Sequence, residues 1–158
     1  MKALSLWQPW ASLWVSGVKV HETRHWPLKV AERGFWLAVH AAQRFEKNVD
    51  PELSDILCDT FGGHWSRDLT RGAIVGKVFI GACVRSDDLL WADDADFTCG
   101  NWTPGRFGFR ADRFAALKAP IPYRGQQGMF QVPDALLADD SLFTSIENRR
   151  RMPSDPPV

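Results

Sequence analysis

The sequence predicts an α+β fold in which a small, strongly bent sheet or barrel is flanked by two or more helices. Several strand-like segments are separated by turns that contain glycine, and two short segments carry helix-start signals. Hydrophobic residues make up 45% of the 158 residues, which is enough for one core. The length is that of a single ordinary domain.

Two segments have the signals of short helices. The first begins at Gln8-Pro9 and ends at Gly17, with proline at the first helical position. The second begins at Asp50-Pro51, where the aspartate serves as N-cap, and ends at Gly62-Gly63. The apolar stripes are Trp10, Leu13 and Trp14 in the first helix, and Leu53, Ile56, Leu57 and Phe61 in the second.

Strand patterns cover much of the remaining chain. Residues 111–119 fit a helix and an extended segment equally, and residues 133–137 fit one helical turn. The acidic stretch 86–96 is expected to be a solvated loop, because its spacing does not match a calcium loop. The predicted strands are residues 2–6, 20–25, 34–41, 73–85, 106–110 and the segment that ends at Val132.

The apolar pattern fades after about residue 139. The end of the chain, RRRMPSDPPV, has few apolar residues and three prolines in its last six positions. We therefore expect one domain over residues 1–138 and a weakly ordered tail over residues 139–158, of which residues 144–158 are dispensable for folding.

Composition excludes several classes of function. The 19 basic and 19 acidic residues cancel, whereas a protein that coats nucleic-acid duplexes should be more basic. No apolar run approaches the roughly 18 residues of a membrane span, and the start, MKALSLWQPW, is not expected to be a secretory signal because it lacks a long apolar stretch. The three cysteines are far apart, which argues against disulfides and structural zinc. We expect a cytoplasmic protein with no cofactor, no metal site and no protein partner that the sequence identifies.

The best candidate site is the segment GVKVHETR at residues 17–24. On a strand, Glu22 and Arg24 point to the same face, and the long side chain of Lys19 can reach that face from the preceding junction. An acid between two bases suits binding of an anion or a polar base edge. It also suits acid–base chemistry, with Lys19 or Glu22 as the catalytic group. A salt-bridged edge strand explains the same pattern.

Two further places carry candidate ligand-binding residues. His40 lies within an apolar strand, where it forms either the wall of a pocket or a structural histidine with a hydrogen-bond partner. Arg124 and Gln126 lie beside two glycines in PYRGQQGMF, an arrangement that suits base-edge recognition and also an ordinary turn. His21, His25 and His64 are not spaced as metal ligands.

Five blocks of the chain resemble the ASCH domain family (activating signal cointegrator homology), which is PUA-like. The segment at residues 17–24 matches the family pattern GxKxxExR, and the blocks follow the family's order between residues 3 and 135. The blocks are LSLWQPWASL, GVKVHETR, LAVHAA, GAIVGKV and PIPYRGQQGMF.

The resemblance implies a PUA-like small β-barrel with flanking helices and a cleft for RNA or another nucleic-acid partner. Carried over by position, Lys19, Glu22 and Arg24 line that cleft, and Gln8, Trp10 and His40 flank it. The leading prediction is therefore binding of RNA, a nucleotide or a nucleoside.

An enzyme and a protein-interaction domain are the alternative predictions. Some small bacterial members of the family are implicated as ribonucleases or as amide hydrolases of N4-acetylcytidine. The amide hydrolases resemble KxxT at this segment, with threonine as the proposed nucleophile, whereas this chain has Glu22 there. Thr23 is adjacent but is expected on the opposite face of the strand. The third possibility is a protein-interaction domain whose tryptophans all lie in the core.

Overall fold

The fold is a single seven-stranded sheet that carries four α-helices, as described by a computed structural model for residues 1–88 and 94–150. The strands are β1 (Lys2–Gln8), β2 (His21–Arg24), β3 (Phe35–Phe45), β4 (Ala73–Arg85), β5 (Phe107–Pro122), β6 (Met129–Gln131) and β7 (Phe143–Asn148). The helices are α1 (Trp10–Val15), α2 (Pro51–Phe61), α3 (Trp65–Asp68) and α4 (Asp94–Thr98), and short 3-10 helices cover Ser86–Asp88, Asp134–Leu137 and Asp140–Leu142.

The sheet is strongly curved, and among the described residues it is not closed. The strand order is β2-β5-β4-β3-β1-β6, with β7 also paired to β5, and of the strand pairs described here only β1 and β3 run parallel. Arg24 on β2, at one end of this order, donates to the carbonyl of Ser5 on β1 at 3.2 Å. The mixed α and β composition that we predicted is therefore present, whereas a closed barrel is not confirmed.

Bulges in the two central pairs account for the bending. The register between β4 and β5 shifts three times, and the register between β3 and β4 shifts once, between Val39 and His40. Three of these four shifts add one residue on one strand, as a β-bulge does, and such bulges increase the local twist; the shift between Ile74 and Gly76 adds three residues on β5. Gly76 lies at one of these shifts, where a Cβ would come 2.2 Å from the Ala115 carbonyl oxygen. Only glycine allows the backbones to approach so closely there.

Helix α1 packs inside the curved sheet and delivers the next segment to its place. Trp14 is fully buried, and its indole donates to the carbonyl of Val20 at 3.2 Å. Gly17 has a φ of 80°, which L side chains rarely adopt, and the chain reverses there. The tryptophan that precedes the charged segment therefore fixes where that segment begins.

Helix α2 begins as its sequence predicts. The Asp50 carboxylate accepts a hydrogen bond from the Leu53 backbone N–H at 2.8 Å, and Pro51 occupies the first turn. Leu53 and Leu57 are buried against Leu13 of α1 and Cys99.

In the middle of the chain, the structure decides one open assignment and corrects one prediction. Residues 111–119, which the sequence left undecided, belong to the long strand β5. The stretch 86–96 is not simply a solvated loop, because it contains a 3-10 helix and the start of α4, and Asp96 is fully buried. Residues 89–93 of that stretch lie outside the described residues.

Residues 139–150 pack on the sheet, whereas the sequence predicts a weakly ordered tail from residue 139. Strand β7 pairs antiparallel with β5, and Phe143 is 3% exposed. Beneath it, the Lys77 ammonium lies 4.5 Å from the Phe143 ring and donates to the Leu137 carbonyl at 2.9 Å. Residues 151–158 lie outside the described residues. In the described part of the chain, no helix is long and apolar enough to cross a membrane.

Candidate functional site

Two adjoining cavities open beside β1 and share Ser5, Trp7 and Arg24. The larger cavity has a volume of about 580 Å³ and lies between β1, the end of β3 and the turn before β6. The smaller cavity, about 280 Å³, lies between β1 and β2. Together they form one cleft, which is the candidate site.

Three charged side chains from the segment after α1 form a chain of ion pairs below the smaller cavity. Lys19 Nζ lies 3.1 Å from Glu22 Oε2, and Arg24 Nε donates to Glu22 Oε1 at 2.8 Å. Lys19 Nζ also donates to the carbonyl of Cys99 at 2.8 Å. The side chains of Lys19, Glu22 and Arg24 are 2%, 10% and 27% exposed. The buried Lys19 therefore contacts Glu22 from the interior of the protein, and Arg24 lies at the surface of the cleft.

Strand alternation sends the neighbours of Glu22 to the other face. The Thr23 hydroxyl oxygen accepts from the Asn101 backbone N–H at 3.0 Å. His21 Nδ1 lies 2.7 Å from Asp96 Oδ2, in a pair that is almost completely buried. Thr23 is among the residues that line the smaller cavity, but its hydroxyl is engaged by Asn101 and not by Glu22 or Arg24.

His40 joins Ser5 to the chain that follows β5. Its Nδ1 lies 2.9 Å from Ser5 Oγ, and its Nε2 lies 2.8 Å from the Tyr123 carbonyl oxygen. Burial lowers the pKa of His40 below its ordinary value of 6.5, although the hydrogen bond to Tyr123 opposes this shift. Ser5 and His40 are direct neighbours in the parallel register of β1 and β3.

Gly125 packs against this pair without a side chain. A Cβ at position 125 would lie 2.4 Å from His40 Cε1 and 2.8 Å from Ser5 Oγ. Real Cβ atoms do not approach other atoms so closely, so glycine is what allows the turn to close over the pair.

The cleft is much more basic than the chain as a whole. Arg24, Arg44 and Arg124 line the larger cavity, and no carboxylate is among its lining residues in the described part of the chain. The smaller cavity adds Arg106, and Glu22 is the single acid along its described walls. A chain with no net charge thus concentrates positive charge in one cleft.

An exposed tryptophan stands between the two cavities. Trp7 is 43% exposed, and the Arg44 guanidinium lies 5.6 Å from its ring. An indole face that is open to solvent beside arginines is a surface on which a flat ring can stack.

The structure brings together most of the residues that the sequence singled out. Arg24, His40, Arg124 and Gln126 line the larger cavity, and Trp10, Glu22 and Arg24 line the smaller one. Lys19 lies behind Glu22. Gln8 is fully buried, and its amide donates to Ser12 and to the Thr70 carbonyl, so it supports the start of α1 and does not flank the cleft.

Sequence reasoning missed Ser5, Trp7 and Arg44. A signal for the first two exists, because Ser5 and Trp7 alternate with the buried Leu4 and Leu6 along β1 and must therefore share the outer face. Nothing in the sequence brings Arg44 to the same place, since that depends on the pairing of β1 with β3. Within residues 1–88 and 94–150, no group of three or more His, Cys, Asp or Glu side chains is placed to hold a metal ion.

A family model for the ASCH domain matches residues 4–115, which is more than half of the chain. The chain belongs to the ASCH domain family. ASCH domains are part of the PUA-like superfamily, so the family that the sequence resembles is confirmed. The match includes most of β1 and the whole of β2 and β3, and so most of the walls of the cleft. Arg124 and Gln126 of this ASCH domain lie outside the matched residues.

Proposed function

We propose that this ASCH domain binds RNA, or a single nucleotide, in the cleft beside β1. The observation that carries the proposal is the larger cavity, with three arginines, no carboxylate among its described walls, and the exposed Trp7 at its edge. Its volume of about 580 Å³ lies within the range of roughly 300–1,000 Å³ that is usual for small-ligand pockets.

Each group in the cleft suits a different part of a nucleotide. Arginine binds phosphate through two parallel N–H donors, and Arg24 and Arg124 are both at the surface of the cavity. Trp7 offers a face on which a base stacks. The Gln126 amide at the rim has the donor and acceptor that base edges pair with.

Glu22 suits recognition of an amino group on a base. Its two oxygens already accept from Lys19 and Arg24, but a carboxylate has about four acceptor positions. Because Glu22 lines the smaller cavity, it is placed to accept one more hydrogen bond, such as that from the N4 amino group of cytosine.

Binding of a short unstructured RNA, followed by fluorescence anisotropy, tests the proposal. Arg124→Ala should weaken binding several-fold and flatten the salt dependence by about 0.7 in the logarithmic slope, as expected for one lost phosphate contact. Arg33→Ala is the matched control. Arg33 is exposed in the turn before the start of β3, whereas the larger cavity lies at the end of that strand. Equal losses in the two variants would mean that the contact is not local to the cleft.

Hydrolysis is the second candidate function, favoured by the position of Glu22 in the smaller cavity beside Arg24 and Arg106. Glu22 would deprotonate a water molecule, and an arginine would meet the developing charge. Turnover of N4-acetylcytidine or of a short RNA, followed by chromatography, should then fall roughly 10²–10⁴-fold in Glu22→Gln. Thr23→Val should have little effect, because the Thr23 hydroxyl faces Asn101. Absence of product from both substrates would remove this candidate and leave the binding proposal standing.

A further inference from the structure

We propose that Ser5 is a nucleophile activated by His40, and that the larger cavity hydrolyses an acyl ester carried on a phosphate-bearing molecule. The nucleophile follows from the geometry of the Ser5–His40 pair. The inference that the substrate carries a phosphate rests on the proposed function of the same cavity.

The partners of His40 fix the position of its proton. A carbonyl oxygen can only accept, so the Nε2 that lies 2.8 Å from the Tyr123 carbonyl carries the hydrogen. Nδ1 of the neutral ring then has a free lone pair, and the Ser5 hydroxyl at 2.9 Å donates to it. This is the arrangement of a hydroxyl nucleophile with its base, in which a third group orients the base. Here a main-chain carbonyl orients it.

Burial keeps this arrangement in its active protonation state. His40 is 2% exposed, and desolvation lowers its pKa below 6.5, with the bond to Tyr123 acting in the opposite direction. The ring is therefore neutral at physiological pH and able to accept a proton.

The pair is accessible from the cavity and has an electropositive surrounding. Ser5 is only partly buried and lines both cavities, while the backbone of Gly125 packs against one side of the pair. Arg24 donates to the Ser5 carbonyl at 3.2 Å and lines the same space, so it is placed to meet negative charge that develops on a reacting acyl group. Arg44 and Arg124 provide the sites for a phosphate elsewhere on the substrate.

The reaction balances with water as the only other reactant. Ser5 Oγ attacks the acyl carbon, its proton passes to His40 Nδ1, and an Oγ–C bond forms. The tetrahedral intermediate expels the alcohol, which takes the proton from Nδ1 as the original C–O bond breaks. Water then attacks the acyl-serine and gives a proton to Nδ1. Ser5 Oγ leaves, takes that proton back, and a carboxylic acid is released.

Covalent labelling with diisopropyl fluorophosphate tests the nucleophile. We expect intact-mass spectrometry to find one adduct per chain, and peptide mapping to place it on Ser5. Ser5→Ala should abolish the adduct, whereas Ser66→Ala, which removes an exposed serine after α2, should keep it. An unlabelled wild-type protein that still binds RNA, or equal labelling of Ser5→Ala, would overturn the proposal.

The pH profile separates catalysis from a merely structural hydrogen bond. The labelling rate should be constant at neutral pH and fall in acid as His40 becomes protonated, below its ordinary pKa of 6.5. His40→Asn should lower the rate by roughly 10²–10⁴-fold, with circular dichroism to check the fold. A wild-type rate that does not change between pH 8 and pH 5 would overturn the role of His40 even if the variant failed to fold.

The substrate class is tested with 3′-O-acetyladenosine 5′-monophosphate and with 3′-O-acetyladenosine. The first should be hydrolysed faster, and Arg124→Ala should reduce that preference. Equal rates of hydrolysis for the two esters would overturn the inference that the substrate carries a phosphate. Labelling of Ser5 in a protein that does not bind RNA would support the nucleophile and contradict the proposed binding function, so the two proposals fail separately.

Discussion

At the scale of single residues, Lys19 illustrates how the protein holds a charge inside its fold. A buried ammonium is costly unless it is paired and hydrogen-bonded, and Lys19 has both a carboxylate and a carbonyl within 3.1 Å. The aromatic ring of Trp10 lies 5.8 Å from the same ammonium. Lys19 therefore sets the position of Glu22, and through Glu22 that of Arg24.

Lys19→Met should destabilise the fold by about 3–5 kcal/mol, because it leaves a largely buried carboxylate without one of its two cations. Denaturant unfolding measures the change. Lys29→Met is the control, since Lys29 is exposed just after β2, and it should stay within about 0.5 kcal/mol of the wild type. Similar stabilities of the two variants would mean that Lys19 contributes little to holding Glu22.

At the scale of secondary-structure elements, one buried pair fastens α4 to the start of β2. Asp96 Oδ1 accepts from the backbone N–H groups of Val20 and His21 at 2.6 and 2.9 Å, and Oδ2 lies 2.7 Å from His21 Nδ1. Burial alone would raise the pKa of Asp96, but the hydrogen bonds and charge of His21 outweigh it, and the pKa is lowered from 3.8.

Asp96→Asn should therefore cost about 1.5–3 kcal/mol at neutral pH, where the carboxylate is ionised and accepts charge-assisted hydrogen bonds. Because the pKa of Asp96 is lower in the folded state, its contribution is complete above 3.8 and is lost as the pH falls through the folded pKa. The difference in unfolding free energy between the variant and the wild type should thus narrow below pH 3.8. Asp59→Asn, exposed on α2, serves as control. If the difference in unfolding free energy between Asp96→Asn and the wild type stays constant until acid unfolds the protein, the stabilising role of the ionised Asp96 carboxylate is contradicted.

How far the elements can be predicted depends on whether their signals are local. The start of α2 is predictable because Asp50 and Pro51 act within one turn. The second half of β5 is not, because Ala111, Phe114, Ala115 and Leu117 have helical spacing, and pairing with β4 and β7 overrides it. Similarly, Asp96 in the acidic stretch has no local sign of burial, since its partner lies far upstream in β2.

The same distinction applies to the candidate site. Glu22 and Arg24 share a face by strand alternation, which the sequence contains. The contact between Ser5 and His40 depends on the parallel register of two strands separated by a helix and a long connection. No periodicity encodes that register, so the pair emerges only from the three-dimensional arrangement.

At the scale of the whole molecule, residues 139–150 contribute Phe143 to the core. Lys77 on β4 and Phe143 on β7 contact each other across β5, and Phe143 is nearly inaccessible. Phe143→Ala should therefore lower the unfolding free energy by about 3–5 kcal/mol, as for other buried phenylalanines.

Leu142→Ala is the matched control for Phe143→Ala. The neighbouring Leu142 side chain is 37% exposed, so its truncation should lower the unfolding free energy much less. Thermal unfolding of both variants measures the difference. A Phe143→Ala protein as stable as the Leu142→Ala protein would support the weakly ordered tail that the sequence predicts from residue 139.

The pairing of β2 also has a consequence for folding, because it affects whether the cleft forms after the rest of the sheet. Within the described chain, β2 has a single strand neighbour, the start of β5, and these partners are separated by more than half the chain length. Closing so long a loop is slow compared with forming nearby contacts such as those between β3 and β4. During refolding, tryptophan fluorescence should therefore recover before RNA binding does, and simultaneous recovery would show that the cleft and the rest of the sheet form in one step.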